Sequence, residues 1–360
     1  MPLPLILVTG ATGHTGAPVA RRLLADGWPV RALVHRADAR SEALRRLGAQ
    51  VVVDDMFDPD QLLQALRGVQ RAYYLTLFQP YMLQAATAFA TAAREARLEA
   101  VVQMSQWTSH RAHPAFLTRE TSLVDQMFSM VPGLAHVILN PGMFADNYLR
   151  LMDMAALLSV FPVLTGDGRS APVSNEDIAR TAVALLKDPL PRAGQRFRPT
   201  GPRLLDGRDM AAAIASVLGK PVRAVPMPMW MFLKAARLTG GRIYEVYNYV
   251  QYLRDHIAGT FSFGGGVTTV VGDLTGSPAE PFEATTARYA ALPFARPTAL
   301  NRAKALARLA VTPLVPGYDL HAYERRMSFP TPTSATLPVH DERWRAEHAA
   351  QMGIVEGVAP

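Results

Sequence analysis

Three glycines recur at every third residue in the octapeptide TGATGHTG, at Gly10, Gly13 and Gly16. An apolar run, residues 5–8, precedes the octapeptide, and an amphipathic stretch, residues 17–24, follows it. That order reads as strand, glycine turn, helix. Each glycine has a task at such a turn. Gly10 permits a tight bend, Gly13 lets a pyrophosphate approach the backbone, and Gly16 lets the helix pack closely on the strand. The free N–H groups at the start of the helix then face the phosphates, with the positive end of the helix dipole behind them. The chemistry expected is the holding of a dinucleotide. A tight turn that binds nothing is the bland alternative, and the flanking strand, helix and N-terminal position weigh against it.

The elements that must position this turn are legible in the first half of the chain. Apolar runs at 30–34, 51–53, 72–75, 101–104 and 137–139 read as buried parallel strands. Helical patterns, such as 60–66 and 82–96, lie between them. The βαβ rhythm implies a parallel sheet with helices on both faces and a ligand beyond the carboxyl ends of its strands. After residue 150 the rhythm loosens. A helix over 175–186 capped by Ser174 or Asn175, a strand at 195–199, and a helix over 206–218 ended by Gly219 are expected. The Met-, Trp-, Phe- and Tyr-rich stretch 226–253 has roughly helical spacing. It suits either packed core or an apolar lid over a substrate cleft. Residues 291–360 hold Pro313, Pro316, Pro330, Pro332 and Pro338 and read as an irregular extension wrapping the body or a second copy in a homodimer.

With 360 residues, 49% of them hydrophobic and 19% charged, the chain is long and apolar enough for a substantial core. The absence of cysteine excludes disulfides, thiolate zinc sites and cysteine nucleophiles. The formal net charge of +7 is carried mostly by arginine, since the only lysines are Lys187, Lys220, Lys234 and Lys304. No helix-turn-helix, zinc-finger or basic-tail pattern accompanies it, so nucleic acid is not expected. Arginines concentrate instead near the glycine turn, at Arg21, Arg22, Arg31, Arg36, Arg40, Arg45 and Arg46, which suits a phosphorylated cofactor. No apolar run reaches transmembrane length and no secretion signal is apparent, so a cytoplasmic protein with no membrane partner is expected.

Together these features resemble the NmrA-like branch of the atypical short-chain dehydrogenase/reductase family. The segments that carry the resemblance are TGATGHTG, VRALVHRADAR from Val30, DDMFDPDQLLQAL from Asp54, NPGMFADNYL from Asn140, GDGRSAPVSNEDIARTA from Gly166, TGPRLLDGRDMAAAIASVLGKPV from Thr200 and DLTGSPAEPFEATTARYA from Asp273. It covers residues 5–290. The fold implied is α/β: a doubly wound parallel-sheet Rossmann domain over 1–150, to which 171–200 return. A smaller, mostly helical substrate-binding subdomain over 151–170 and 201–290 would follow, and then the extension.

Carried over by position, the resemblance implies a pyrophosphate lined by Gly10, Thr12, Gly13, His14 and Gly16. Arg36 would contact the adenosine ribose, with His35 and Arg40 assisting. An arginine there complements a 2′-phosphate, so NADP(H) is favoured over NAD(H). Asp55 and Met56 would flank the adenine. Thr76, Leu77 and Phe78 would lie near the cofactor's centre, and Pro141, Gly142, Met143 and Phe144 beside the nicotinamide. The family's Tyr-x-x-x-Lys pair is missing, and Thr121 stands where many atypical members keep a lysine. A tyrosine–lysine proton relay is therefore excluded, although hydride transfer, which the cofactor carries, is not. Ser105 would take the place of the active-site serine, and His110 or His113 would protonate an oxyanion unless both are ordinary loop histidines. No third ligand accompanies those histidines, so no metal is expected. Trp107, Phe144, Tyr148 and Trp230 would supply apolar walls for the substrate, or would simply be packing. Three functions compete: an NADPH-dependent oxidoreductase acting on a small apolar carbonyl, enone or quinone; an NADP(H)-sensing regulator without turnover; and a cofactor-retaining isomerase, epimerase or lyase.

Overall fold

Ile6 and Val8 enter one hydrophobic core and Leu7, between them, enters a second. Successive strand residues point to opposite faces of a sheet, so this alternation means a strand covered on both sides. The computed structural model describes residues 2–352 and builds the rest of the sheet in the same way. Strands β1 (Ile6–Val8), β2 (Val30–Val34), β3 (Gln50–Val53), β4 (Arg71–Leu75), β5 (Ala100–Met104) and β6 (Ala135–Leu139) alternate with helices. These are α1 (Gly16–Ala25), α2 (Ala39–Arg46), α3 (Pro59–Leu66), α4 (Met82–Glu95) and α5 (Phe116–Ser129). The later elements are α6 (Ala145–Leu149), α7 (Met152–Leu158), β7 (Val160–Val163), α8 (Asn175–Lys187), β8 (Arg196–Phe197), α9 (Gly207–Leu218), β9 (Arg223–Pro226) and α10 (Met229–Leu238). After them come α11 (Ile243–Ile257), α12 (Val270–Thr275), α13 (Phe282–Ala290), α14 (Ala299–Val311), α15 (Leu320–Met327) and α16 (Glu342–Ala349).

Seven strands form one sheet in the order β3-β2-β1-β4-β5-β6-β8, every neighbouring pair parallel. The order reverses between β1 and β4, which opens a crevice at the carboxyl ends of those strands. Helices α1 and α8 cover one face, and α3, α4 and α5 the other. The segment 171–200 supplies α8 and the edge strand β8, so it packs with the sheet. A third core joins α6, α7, α9, α13 and the short parallel pair β7–β9 to the C-terminal helices.

Local signals explain the helix boundaries. The Ser174 hydroxyl accepts from the Asp177 N–H and starts α8. Asp206 caps α9, which ends at Gly219 with φ +63°.

Two expectations need correction. Residues 291–352 are not irregular: they contain α14, α15 and α16, capped by Thr298, Asp319 and Asp341. The prolines fall between these helices, where they break the chain without breaking a helix. The aromatic and methionine-rich stretch divides as well. Helix α11 packs into the body, whereas no residue of α10 is buried.

Candidate functional site

At the crevice the glycine turn has a geometry no larger residue could keep. Gly10 has φ +58°, and a Cβ on it would lie 2.7 Å from Leu75 Cδ2. A Cβ on Gly16 would lie 2.3 Å from the Gly10 carbonyl oxygen, so its absence sets how closely α1 approaches the turn. The first turn of α1 has no acidic residue and no side-chain cap. Its N–H groups and positive dipole end are therefore available to an anion. His14 is exposed at the tip of the turn. Thr9, just before it, locks β1 to β4 by donating to the Tyr73 carbonyl at 3.2 Å and accepting from the Leu75 N–H at 2.8 Å.

His35 and Arg36 stand exposed beyond the end of β2. The Arg36 guanidinium is three-quarters exposed and 3.8 Å from Asp38. Arg40 is more committed: it grips Asp38 through Nε at 3.0 Å and a terminal nitrogen at 2.6 Å, and donates to the Thr12 carbonyl at 3.3 Å. That grip holds the Asp38 carboxyl down at about 2, while Asp38 also caps α2. Arg40 thus braces the glycine turn against α2, and Arg36 is the freer cation. Asp55 accepts from the Phe57 N–H and closes the bend after β3, with Met56 half-buried beside it.

At the ends of β4, β5 and β6 the side chains line up by register. Thr76 is buried and accepts from Gln103 at 3.3 Å, with Leu77 half-buried and Phe78 exposed next to it. Met104 pairs with Leu139, so Ser105 and Asn140 follow side by side at the carboxyl ends of neighbouring strands. Both are buried, and among the described residues the Ser105 hydroxyl, which lies beside the Asp125 carboxyl, and both ends of the Asn140 amide lack a hydrogen-bond partner. Buried polar groups without partners are unusual and suit a ligand that supplies them. Pro141 and Met143 are buried, whereas Gly142 and Phe144 are partly open. Across the cleft, burial pushes the Asp146 carboxyl up, opposed by Tyr289 and by the charge of His14. His14 at the glycine turn and Asp146 in the first turn of α6 thus lie within electrostatic reach of each other. Sequence reasoning missed Asn140 and Asp146. The only signal for Asn140 was an asparagine just before the proline that ends β6.

The loop after β5 is largely occupied by packing. His113 is fully buried: Nδ1 accepts from the Ala115 N–H and Nε2 lies 2.9 Å from Asp255. Both ring nitrogens are engaged, which suits a clamp between α5 and α11 and not a proton donor. Thr121 is also fully buried, accepting from Gln106 at 2.8 Å and donating to the Leu117 carbonyl at 3.0 Å. His110 is nearly buried 3.4 Å from Asp341, and burial lowers its pKa. It lines a cavity of about 690 Å³ between α5, β8 and α16. Trp107 has no exposed surface. Arg198 lies 3.6 Å over its ring, its Nε1 donates to the Thr260 carbonyl, and Trp344 and His348 pack against it. Trp107 therefore serves packing and not an open substrate wall. The Tyr148 hydroxyl is held by Ser170 at 2.8 Å and His256 at 2.7 Å. Trp230 is exposed on α10. Among the described residues no group of three metal-ligating side chains occurs.

The sequence profile of the NmrA-like family matches residues 4–116. The chain is 30% identical over 286 residues to a (4-alkanoyl-5-oxo-2,5-dihydrofuran-3-yl)methyl phosphate reductase of Streptomyces griseus, covering 79% of this chain and 98% of that protein. It is 29% identical over 282 residues to an NAD(P)H azoreductase of Xenophilus azovorans, covering 77% and 95%. An NADPH-dependent quinone oxidoreductase of Escherichia coli, solved with NADPH, shares the fold with a TM-score of 0.66 at 23% identity, covering 79% and 99%. Each is spanned almost whole, while about a fifth of this chain is left over.

Proposed function

The chain belongs to the NmrA-like family and is an NAD(P)H-dependent oxidoreductase of the atypical short-chain dehydrogenase/reductase type; on that premise we propose that it uses NADPH to reduce a small apolar carbonyl, enone or quinone, with no tyrosine–lysine relay. The observation that carries this reading is the pairing of an uncapped, acid-free α1 N-terminus with the unpartnered Ser105 and Asn140 at the same end of the sheet. The residues fit a dinucleotide: glycines where a Cβ would clash, and buried polar atoms that lack partners. Gly10, Thr12, Gly13, His14 and Gly16 would hold the pyrophosphate. Arg36 would bind the 2′-phosphate, because Asp38 is already taken by Arg40. When bound, the dihydronicotinamide supplies the hydride.

With cofactor and acceptor bound, Ser105 and Asn140 would donate hydrogen bonds to the substrate oxygen or the nicotinamide amide, and the half-open Gly142 and Phe144 would line that position. Neither Ser105 nor Asn140 is an acid at neutral pH. A quinone or enone suits such a site, since its conjugated product anion needs little help and water can protonate it. The relatives' names, an azoreductase and a dihydrofuranone reductase, support an unsaturated acceptor.

The test is NADPH absorbance loss across quinones, enones, aldehydes and ketones, with NADH as control. Turnover of one class, with Arg36→Ala raising the KM for NADPH and not for NADH, is the expected result. Tight NADPH binding without turnover of any acceptor overturns it in favour of an NADP(H)-sensing regulator. The missing lysine and the burial of Thr121 are what favour that second reading.

A further inference from the structure

Helix α14 is amphipathic the wrong way round for a helix that packs on a protein body. Ala305 is its only buried residue. Leu300, Leu306, Ala303, Ala307, Ala310 and Val311 look outward, with Leu300 64% exposed. At 100° per residue these six fall on one side of the helix, opposite Ala305, and Arg302 and Lys304 flank them. The face continues past the end of the helix through Leu314, which is 82% exposed, to α10. There Lys234 donates to the Pro313 carbonyl at 2.6 Å and Arg237 to the Gly317 carbonyl at 3.1 Å, fastening the two segments together. Helix α10 carries exposed Met229 and half-exposed Trp230, with the Lys234 ammonium 5.6 Å from the centre of the Trp230 ring.

The stretches that build this surface carry only positive charge of their own, and Arg308 of α14 is paired with Asp153 of α7. No Asp or Glu occurs between Asp209 and Glu245, or between Glu283 and Asp319, the two stretches that build it. Arg296, Arg302, Lys304, Lys234 and Arg237 have no carboxylate partner among the described residues. Large exposed apolar residues rimmed by cations, with a tryptophan among them, match what an interfacial element presents to an anionic bilayer.

We propose that α10, α14 and the 312–318 segment dock this protein on an anionic lipid surface, the apolar side chains entering the headgroup boundary and the flanking cations meeting lipid phosphates. Among the described residues no helix is long and apolar enough to cross a membrane, and surface docking requires none. The expectation of no membrane partner rests on the sequence, which lacks an apolar run of transmembrane length, a secretion signal and any membrane feature beyond net charge. An acid-free face is a poor match for a second copy of itself, since two such faces repel, whereas an anionic surface complements it.

The experiment is flotation of the full chain with phosphatidylcholine vesicles, with and without phosphatidylglycerol, at low and high salt. Binding to the anionic vesicles alone, reversed by salt, is expected. Arg302→Glu with Lys304→Glu should lower the bound fraction at least about ten-fold, as should Leu306→Ser with Leu314→Ser. All four side chains face solvent, so an unchanged melting temperature confirms that these variants fold. Trp230 emission should shift to the blue on binding, and Trp230→Phe should abolish the shift. No flotation, or flotation indifferent to lipid charge and to both double variants, overturns the proposal. A wild-type dimer in solution that Leu306→Ser with Leu314→Ser makes monomeric, without vesicle binding, also overturns it and assigns the face to a second copy. None of these readouts depends on turnover.

Discussion

The Trp344 indole packs edge-on against the Trp107 indole, with ring centroids 5.2 Å apart. Trp107 belongs to the loop after β5, and Trp344 to the last helix described. The extension therefore completes the core behind the loop that carries Ser105 and His110. Around the pair, His348 stacks on Trp344 at 4.1 Å and the buried Arg198, lowered to about 9 by burial, covers Trp107. A buried guanidinium with no carboxylate partner among the described residues is costly, and the aromatic face and the Phe261 carbonyl at 2.8 Å offset part of that cost.

Trp344→Ala should destabilise the protein by about 3–5 kcal/mol, the usual range for truncating a large buried aromatic. Chemical denaturation measures it. An unfolding midpoint equal to wild type would mean that the extension is an appendage and not part of the core.

Gly16→Ala should cost more than Gly13→Ala in dinucleotide affinity. A Cβ at Gly16 meets backbone atoms at 2.3, 2.7 and 2.9 Å, which cannot yield without moving α1, whereas at Gly13 the nearest atom is 3.1 Å away. Fluorescence titration with NADPH compares the two, and equal affinities would refute the packing role given to Gly16.

His113→Leu should lower stability by about 3 kcal/mol, because the Asp255 carboxylate is left buried with only Thr260 as a side-chain donor. Turnover well below the melting temperature should change little. Loss of turnover at unchanged stability would restore His113 as a proton donor.

The protein should lose stability as pH rises from about 4.5 to about 7, through Glu120. Burial raises this carboxyl from an ordinary 4.5 to about 7, with Arg119 pulling the other way, and its Oε2 has no partner. A group whose folded pKa lies above its unfolded value binds more protons in the folded state between the two. Its contribution is therefore favourable below that window and lost above it, by roughly 2 kcal/mol after water's screening of the partly solvated carboxyl is discounted. Glu120→Gln should flatten this dependence and stabilise the protein at pH 8. Melting curves of both proteins that run parallel from pH 4 to 8 would contradict it.

What the chain determined by itself is what neighbouring residues decide. The parallel strands follow from apolar runs of strand length, and Gly10 and Gly16 from a turn that admits no Cβ. The cap Ser174 sits next to the helix it starts, so it too was legible, whereas Asp206, read as the first residue of α9, is its cap. Only the tertiary structure put Ser105 beside Asn140, because that depends on the register between β5 and β6. It alone paired His113 with Asp255 and Trp107 with Trp344, partners separated by long stretches of chain that no local periodicity connects. The extension looked irregular because its prolines are visible in sequence, whereas the packing that decides whether short helices between prolines form is not. Whether Trp107 is a substrate wall or packing stays open in the sequence for the same reason: an aromatic residue's type is local, but whether it faces a ligand or a neighbour is settled by distant residues.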